Sequence, residues 1–123
     1  MKALAEGIGM KPKWQERSRD IHERFLKLAQ AKGSLTSDTE ILNFLALAIC
    51  GEAGELANLI KKMWQGDDVD SDQIRDEIAD IRIYLEHLSR HLHINLDQAC
   101  ENKLEVVAER LTVKENAAST LAP

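Results

Sequence analysis

The chain has few cysteines and no excess of positive charge, and each of these features excludes some classes of function. Cys50 and Cys100 are far apart, and no C-x-x-C motif is present, so we interpret both as reduced core or interface residues of a cytoplasmic protein. The formal net charge is −5, which argues against binding to a nucleic-acid polymer, because a polymer requires a basic face. A free nucleotide stays compatible with this charge, since a bound divalent cation can supply the positive charge.

Long apolar runs and strand patterns are also missing. The apolar run at residues 41–50 is too short to span a bilayer, and residues 1–10 lack the pattern of a signal peptide. No segment alternates apolar and polar residues, and no hairpin dipeptide separates β-branched runs. These absences predict a soluble protein without strands and without a membrane partner.

Apolar residues instead recur with helical spacing, which predicts an all-α fold. A first helix is expected from residue 12 to about residue 31, ending before Gly33. Ser37 begins a second helix, with Glu40 in the capping-box position, and this helix ends near residue 64. In the first helix an apolar stripe predicts the buried face: Ile21, Phe25, Leu28 and Ala29.

Two further helices complete a four-helix bundle. The third is expected over residues 72–92, and the fourth follows Asn95 as its N-cap and ends near residue 111. A single domain of this size buries more surface by oligomerising, so we expect a homodimer or homotetramer. The predicted division is an N-terminal arm at 1–11, one domain at 12–111 and a disordered tail at 112–123.

Two pairs of acidic residues carry the chemistry. Glu52 and Glu55 share a face of the second helix, and Glu77 and Asp80 share a face of the third, because each pair is three residues apart. The two helices are joined by a short turn and should pack antiparallel, and both cross-pairings, 52 with 80 and 55 with 77, have their midpoint at residue 66. One acidic pair alone is typical of a solvated helix face, whereas two in hairpin register beside apolar residues favour a site.

Four carboxylates beside a core require a counter-charge. Oxygen ligands suit Mg²⁺, with Mn²⁺ as a possible substitute. A di-iron centre is disfavoured because the chain has no Glu-x-x-His spacing. His87 and His91 have zinc-like spacing, but without a nearby cysteine we interpret them as surface or interface histidines.

The motifs resemble those of a known family. The runs GEAGELANLIKK, DEIADIRIYLEHL and LDQACENKLEVVAERL resemble the MazG-like nucleotide pyrophosphohydrolases of the all-α NTP pyrophosphatase superfamily, over about residues 40–111. The signature of that family is E-x-x-E followed by E-x-x-D. The sequence departs from it at Cys100, where many relatives have asparagine.

The resemblance implies a metal-dependent hydrolase that cleaves a nucleoside triphosphate, expected to be a dNTP, between the α- and β-phosphates to control the nucleotide pool. It implies that Glu52, Glu55, Glu77 and Asp80 are the catalytic, metal-binding residues. The candidate substrate-binding residues are of two kinds. Three basic side chains could contact phosphates: Lys61, Lys103 and Arg110. Two tryptophans could stack on a nucleobase: Trp14 and Trp64. Two alternatives stay open, a phosphoribosyl-ATP pyrophosphohydrolase and a non-catalytic helical interaction or regulatory module.

Overall fold

The computed structural model describes residues 13–121, which form four helices and no strand. In chain order the helices are α1 (Trp14–Ala31), α2 (Asp38–Trp64), α3 (Ser71–His91) and α4 (Leu96–Leu121). The predicted all-α fold is confirmed. The predicted N-terminal arm at 1–11 lies outside the described residues.

Local signals in the sequence set the ends of the helices. The Ser37 hydroxyl accepts a hydrogen bond from the Glu40 backbone N–H at 3.2 Å, and the Glu40 carboxylate accepts one from the Thr36 N–H at 2.9 Å. Gly33 and Gly66 follow α1 and α2 with φ of +84° and +92°, a conformation that glycine adopts without a steric penalty. The predicted caps of the α2–α3 hairpin are thereby confirmed.

The chain divides into two compact units, one containing α1, α2 and α3 and the other containing α4. In the first unit α3 packs along α2 and also contacts α1. Its core is formed by Leu26 of α1 with Ile41 and Leu45 of α2, and Phe44 and Leu88 pack against it. This small core fixes the hairpin that carries the acidic motifs.

The buried face of α1 differs from the predicted apolar stripe. Ser18, His22 and Leu26 are buried, whereas Ile21 is 58% and Leu28 67% exposed. The prediction of the buried face is therefore wrong. The physical reason is that His22 and Ser18 find polar partners on α3, so their burial is compensated.

Two other expectations are corrected. The fourth helix ends at Leu121 and not near residue 111, because no proline or glycine interrupts it and its last residues include strong helix formers; the division into arm, domain and tail stays a prediction. Cys50 and Cys100 are free thiols and exposed, so they are not core residues of this chain, and a place at an interface stays a prediction. Within residues 13–121, no helix combines the length and apolar character needed to cross a membrane.

Candidate metal centre and adjoining cavity

Three of the four predicted carboxylates converge between α2 and α3. Glu52, Glu55 and Glu77 each offer an oxygen atom, and these three atoms lie within 4.8 Å of one another. The i, i+3 spacing on α2 aims Glu52 and Glu55 at the same strip of α3, and the turn at Gly66 returns the chain so that Glu77 meets both. The antiparallel hairpin therefore brings together the first acidic motif and the beginning of the second.

The chemistry of this group fits a divalent cation. One oxygen of Glu52 and one of Glu77 are buried, and no described residue donates a hydrogen bond to either. A buried carboxylate oxygen without a partner is costly. A hard cation at 2.0–2.6 Å satisfies such oxygens, so Glu52, Glu55 and Glu77 are suited to hold Mg²⁺ or Mn²⁺.

Electrostatics also shows that the group lacks positive charge. The pKa of Glu77 is raised from 4.5 to about 7, first because its carboxyl group lies within hydrogen-bonding reach of the Glu52 carboxyl. Burial raises this pKa further, as do the negative charges of Glu52 and Glu55. Without a cation, the cluster therefore favours a proton on Glu77.

A pH dependence of stability follows for the metal-free protein. The folded state holds a proton on Glu77 up to about pH 7, whereas an unfolded chain loses it near 4.5. Between these values the folded state binds more protons, so raising the pH should lower the free energy of unfolding. Thermal melts in EDTA at several pH values measure this slope. The slope should be lost in Glu77→Gln and kept in Glu105→Gln, an exposed control on α4. If both variants keep the same pH slope, Glu77 does not have the environment described.

Asp80 lies one turn further along α3 and is not among the three converging acids. It lines a cavity of about 500 Å³ on the α1 side of α3. Tyr84, one turn beyond, connects the two regions: its pKa is raised by burial first and then by the charges of Glu52 and Asp80. Asp80 thus borders both the acidic cluster and the cavity.

The cavity is largely aromatic and apolar, although aromatic residues are rare in this chain. Phe25 and Phe44 stack with ring centroids 5.6 Å apart, and Trp14 is held beneath the Arg82 guanidinium at 5.4 Å. The lining residues are Trp14, Arg17, Ser18, Ile21, His22, Phe25, Phe44, Asp80, Ile83, Tyr84 and His87. Trp14, a predicted substrate-binding residue, therefore lies in the same cavity as Asp80.

Of the other predicted substrate-binding residues, Trp64 and Lys61 do not line this cavity. Trp64 is 86% exposed at the end of α2, and it lines a shallow apolar groove together with Lys61. Lys103 and Arg110 are exposed on α4. Their roles in binding stay predictions.

The sequence predicted a binding role for Trp14, but it did not indicate Ser18 and His22, the polar residues that α1 also contributes to the cavity. Trp14, Ser18, Ile21 and Phe25 follow one another at intervals of three or four residues, which places them on one face of α1. That recurrence was a usable signal. Only Ile21 and Phe25 of this set belong to the predicted buried stripe, and spacing alone does not distinguish a residue that fills a core from one that lines a cavity.

The fold and the site define an all-α protein with a carboxylate centre suited to a divalent cation. No family model matches the chain. Among curated proteins, dCTP pyrophosphatase 1 of the mouse, Mus musculus, is 33% identical over 78 residues, which covers 56% of this chain and 45% of the relative. The chain thus spans less than half the length of that relative. This similarity supports a relationship to the all-α NTP pyrophosphatase superfamily, whose motifs the acidic pairs of this chain resemble.

Proposed function

We propose that this protein is a metal-dependent nucleoside triphosphate pyrophosphohydrolase that converts a (d)NTP to the monophosphate and pyrophosphate. The observation that carries the proposal is the convergence of three carboxylates, two of which have a buried oxygen without a hydrogen-bond partner among the described residues, next to an aromatic cavity. The similarity to dCTP pyrophosphatase 1 supports the substrate class.

In this proposal Glu52, Glu55 and Glu77 hold Mg²⁺, or Mn²⁺ in its place, and Asp80 borders the same site. Bound there, the cation neutralises phosphate charge and makes water a better nucleophile. A water oxygen bonds to the α-phosphorus and its proton passes to the surrounding water, while the bond from that phosphorus to the oxygen bridging to the β-phosphorus breaks and pyrophosphate leaves.

A second cleft supports the location of the phosphates. It has a volume of about 310 Å³ and lies between α2 and α3, where Glu55 and Glu77 form part of its wall. Asn58 and Gln73 also line it, and their side-chain amides are donors for phosphate oxygens. The chain therefore offers both carboxylates for a metal and neutral donors for phosphate along one cleft.

The aromatic cavity is suited to the nucleoside. Its volume of about 500 Å³ lies in the range of small-molecule sites, about 300–1,000 Å³. A nucleobase needs a flat side chain on which to stack, and Trp14, Phe25 and Phe44 supply rings. Asp80 lies on the wall of this cavity, where it would separate the base from the reacting phosphates.

Oligomerisation is part of the proposal. Ile21, Leu47, Met63 and Trp64 are each more than half exposed, and apolar side chains of this size are more stable when a partner covers them. We expect a homodimer or homotetramer, in which Lys61, Trp64, Lys103 and Arg110 are the candidate contacts to substrate.

A panel of NTPs and dNTPs in Mg²⁺, with phosphoribosyl-ATP included, tests the reaction. In ¹⁸O-labelled water the label should enter the monophosphate, and pyrophosphate should appear in equal amount. Release of orthophosphate with a diphosphate would place the attack at the γ-phosphorus and contradict the proposal. No turnover of any substrate by protein that binds the metal would favour the non-catalytic module.

A further inference from the structure

A cluster of histidines joins α1 to α3 outside the proposed metal centre. The His22 and His87 rings stack with centroids 4.1 Å apart and an interplanar angle of 12°. The Nε2 atoms of His22 and His91 lie 2.9 Å apart. Both stacked rings are buried, so their protonation states are set by these contacts more than by solvent.

The contacts of Arg90 fix the proton on His87. Its guanidinium contacts His87 Nδ1 and donates to the Gln15 carbonyl oxygen at 3.3 Å. A guanidinium only donates hydrogen bonds, so Nδ1 must accept and carry no proton. The proton of His87 is then on Nε2, which faces the Ser18 hydroxyl at 3.4 Å. This arrangement requires a neutral imidazole.

The contact between His22 and His91 imposes a similar condition. Two nitrogens at hydrogen-bonding distance need one donor and one acceptor. If both Nε2 atoms carried a proton, two N–H groups would oppose each other. The pair is therefore satisfied only while at least one ring is neutral.

Burial and the charges around the cluster also favour neutral imidazole rings. Burial first, and then His91 and Arg90, lower the pKa of His22 from 6.5 to about 4, partly offset by Glu23. Burial, His22, Arg90 and His91 lower that of His87 to about 3. Two further charged groups act on Arg90: Arg19 of α1 and Glu86 of α3. Two others, Arg17 and Asp80, lie on the cavity wall. The residue that α2 contributes to this wall is the uncharged Phe44.

The geometry points to a positioning role for this network: His22, His87 and Arg90 hold α1 against α3 only while the imidazoles are neutral. Because α1 forms one wall of the aromatic cavity through Trp14 and Phe25, acid should open that wall. The three converging acids lie on α2 and α3, and none of them lies on α1. If the cavity binds the nucleoside, as the proposed function has it, opening of this wall in acid would weaken that binding.

The position of Trp14 provides a direct measurement. Trp14 is on α1, packs under Arg82 of α3 and is one of two tryptophans. In a Trp64→Phe background it is the only tryptophan. We expect its emission, without metal or nucleotide, to be constant above about pH 6.5 and to shift to the red with a midpoint between about 6.5 and 4.

The size of the expected change follows from the pKa of each histidine when α1 is docked and when it is released. For His22, with a pKa of about 4 in place of 6.5, the ratio of docked to released α1 should fall about tenfold between pH 7.5 and 5.5. His87 should contribute a similar factor. The double variant His22→Gln, His87→Asn carries no titrating ring at either position and should show no transition in this range, whereas His93→Asn, outside the cluster, should behave as the parent.

The outcomes separate cleanly. Emission that is unchanged to pH 4, or a double variant with the same transition as the parent, would overturn the inference. If circular dichroism shows that the double variant does not fold, imidazole NMR titration of the parent decides instead, and midpoints of His22 and His87 near 6.5 would overturn it. If the protein hydrolyses nucleotide, KM should rise in acid more in the parent than in the double variant, because protonation of Glu77 is common to both. A chain without turnover that still shows the Trp14 transition would contradict the proposed function and leave this inference standing.

Discussion

Replacing Glu77 by glutamine should reduce pyrophosphate release by at least about 100-fold, the scale expected when a ligand of a catalytic cation is lost. The same variant should not lose stability without metal. At pH 8 the wild-type carboxylate is charged and faces the charges of Glu52 and Glu55, and glutamine removes that repulsion. Steady-state assays in Mg²⁺ and thermal melts in EDTA measure the two effects.

Glu86→Gln is a matched control on the same helix for the stability measurement. Glu86 is partly buried, but it forms an ion pair with Arg82 at 3.4 Å, so removal of its charge should lower the melting temperature. Wild-type protein should melt at a higher temperature with Mg²⁺ by mass action, and Glu77→Gln should gain much less. A Glu77→Gln protein that melts well below wild type in EDTA and keeps its turnover in Mg²⁺ would make the acidic cluster a structural element.

Replacing Trp14 by alanine should raise KM for the nucleotide by about 5- to 100-fold and change kcat much less. Stacking of a base on an aromatic ring contributes about 1–3 kcal/mol, and about 1.4 kcal/mol corresponds to a factor of ten. Trp14→Phe is the matched control, because it keeps a flat ring beneath the Arg82 guanidinium. Kinetics over a range of substrate concentrations separates the two constants.

The comparison between these variants locates the base. An unchanged KM in Trp14→Ala would show that the nucleoside binds elsewhere, for example along the groove that contains Trp64. Equal losses in Trp14→Ala and Trp14→Phe would show that the indole N–H, and not the stacking face, makes the contact.

The α2–α3 hairpin could be predicted because its determinants are local. The cap at Ser37, the turn at Gly66 and the i, i+3 spacing of the acids are all legible within a few residues. The register between the two helices was not fixed to better than a turn. The packing of side chains along α2 and α3 decides that Glu77 meets both acids of the first motif and that Asp80 lies beyond them.

The face of α1 and the cavity could not be predicted because they depend on distant partners. His22 and His91 are 69 positions apart, and nothing near His22 in the sequence indicates that a polar ring is buried there. His87, expected at the surface or at an interface, is 5% exposed, because Arg90 and Ser18 satisfy its nitrogens. Helical spacing identified the element but not the side that it buries.

Diffraction from crystals soaked in Mn²⁺ with a nucleotide that carries a non-hydrolysable α,β-imido bridge is the most direct test of the central claim. We expect an anomalous peak about 2.0–2.6 Å from oxygens of Glu52, Glu55 and Glu77, with the phosphates beside it and the base in the cavity lined by Trp14. Carboxylates without a peak at saturating Mn²⁺, or a peak bound by other residues, would contradict it.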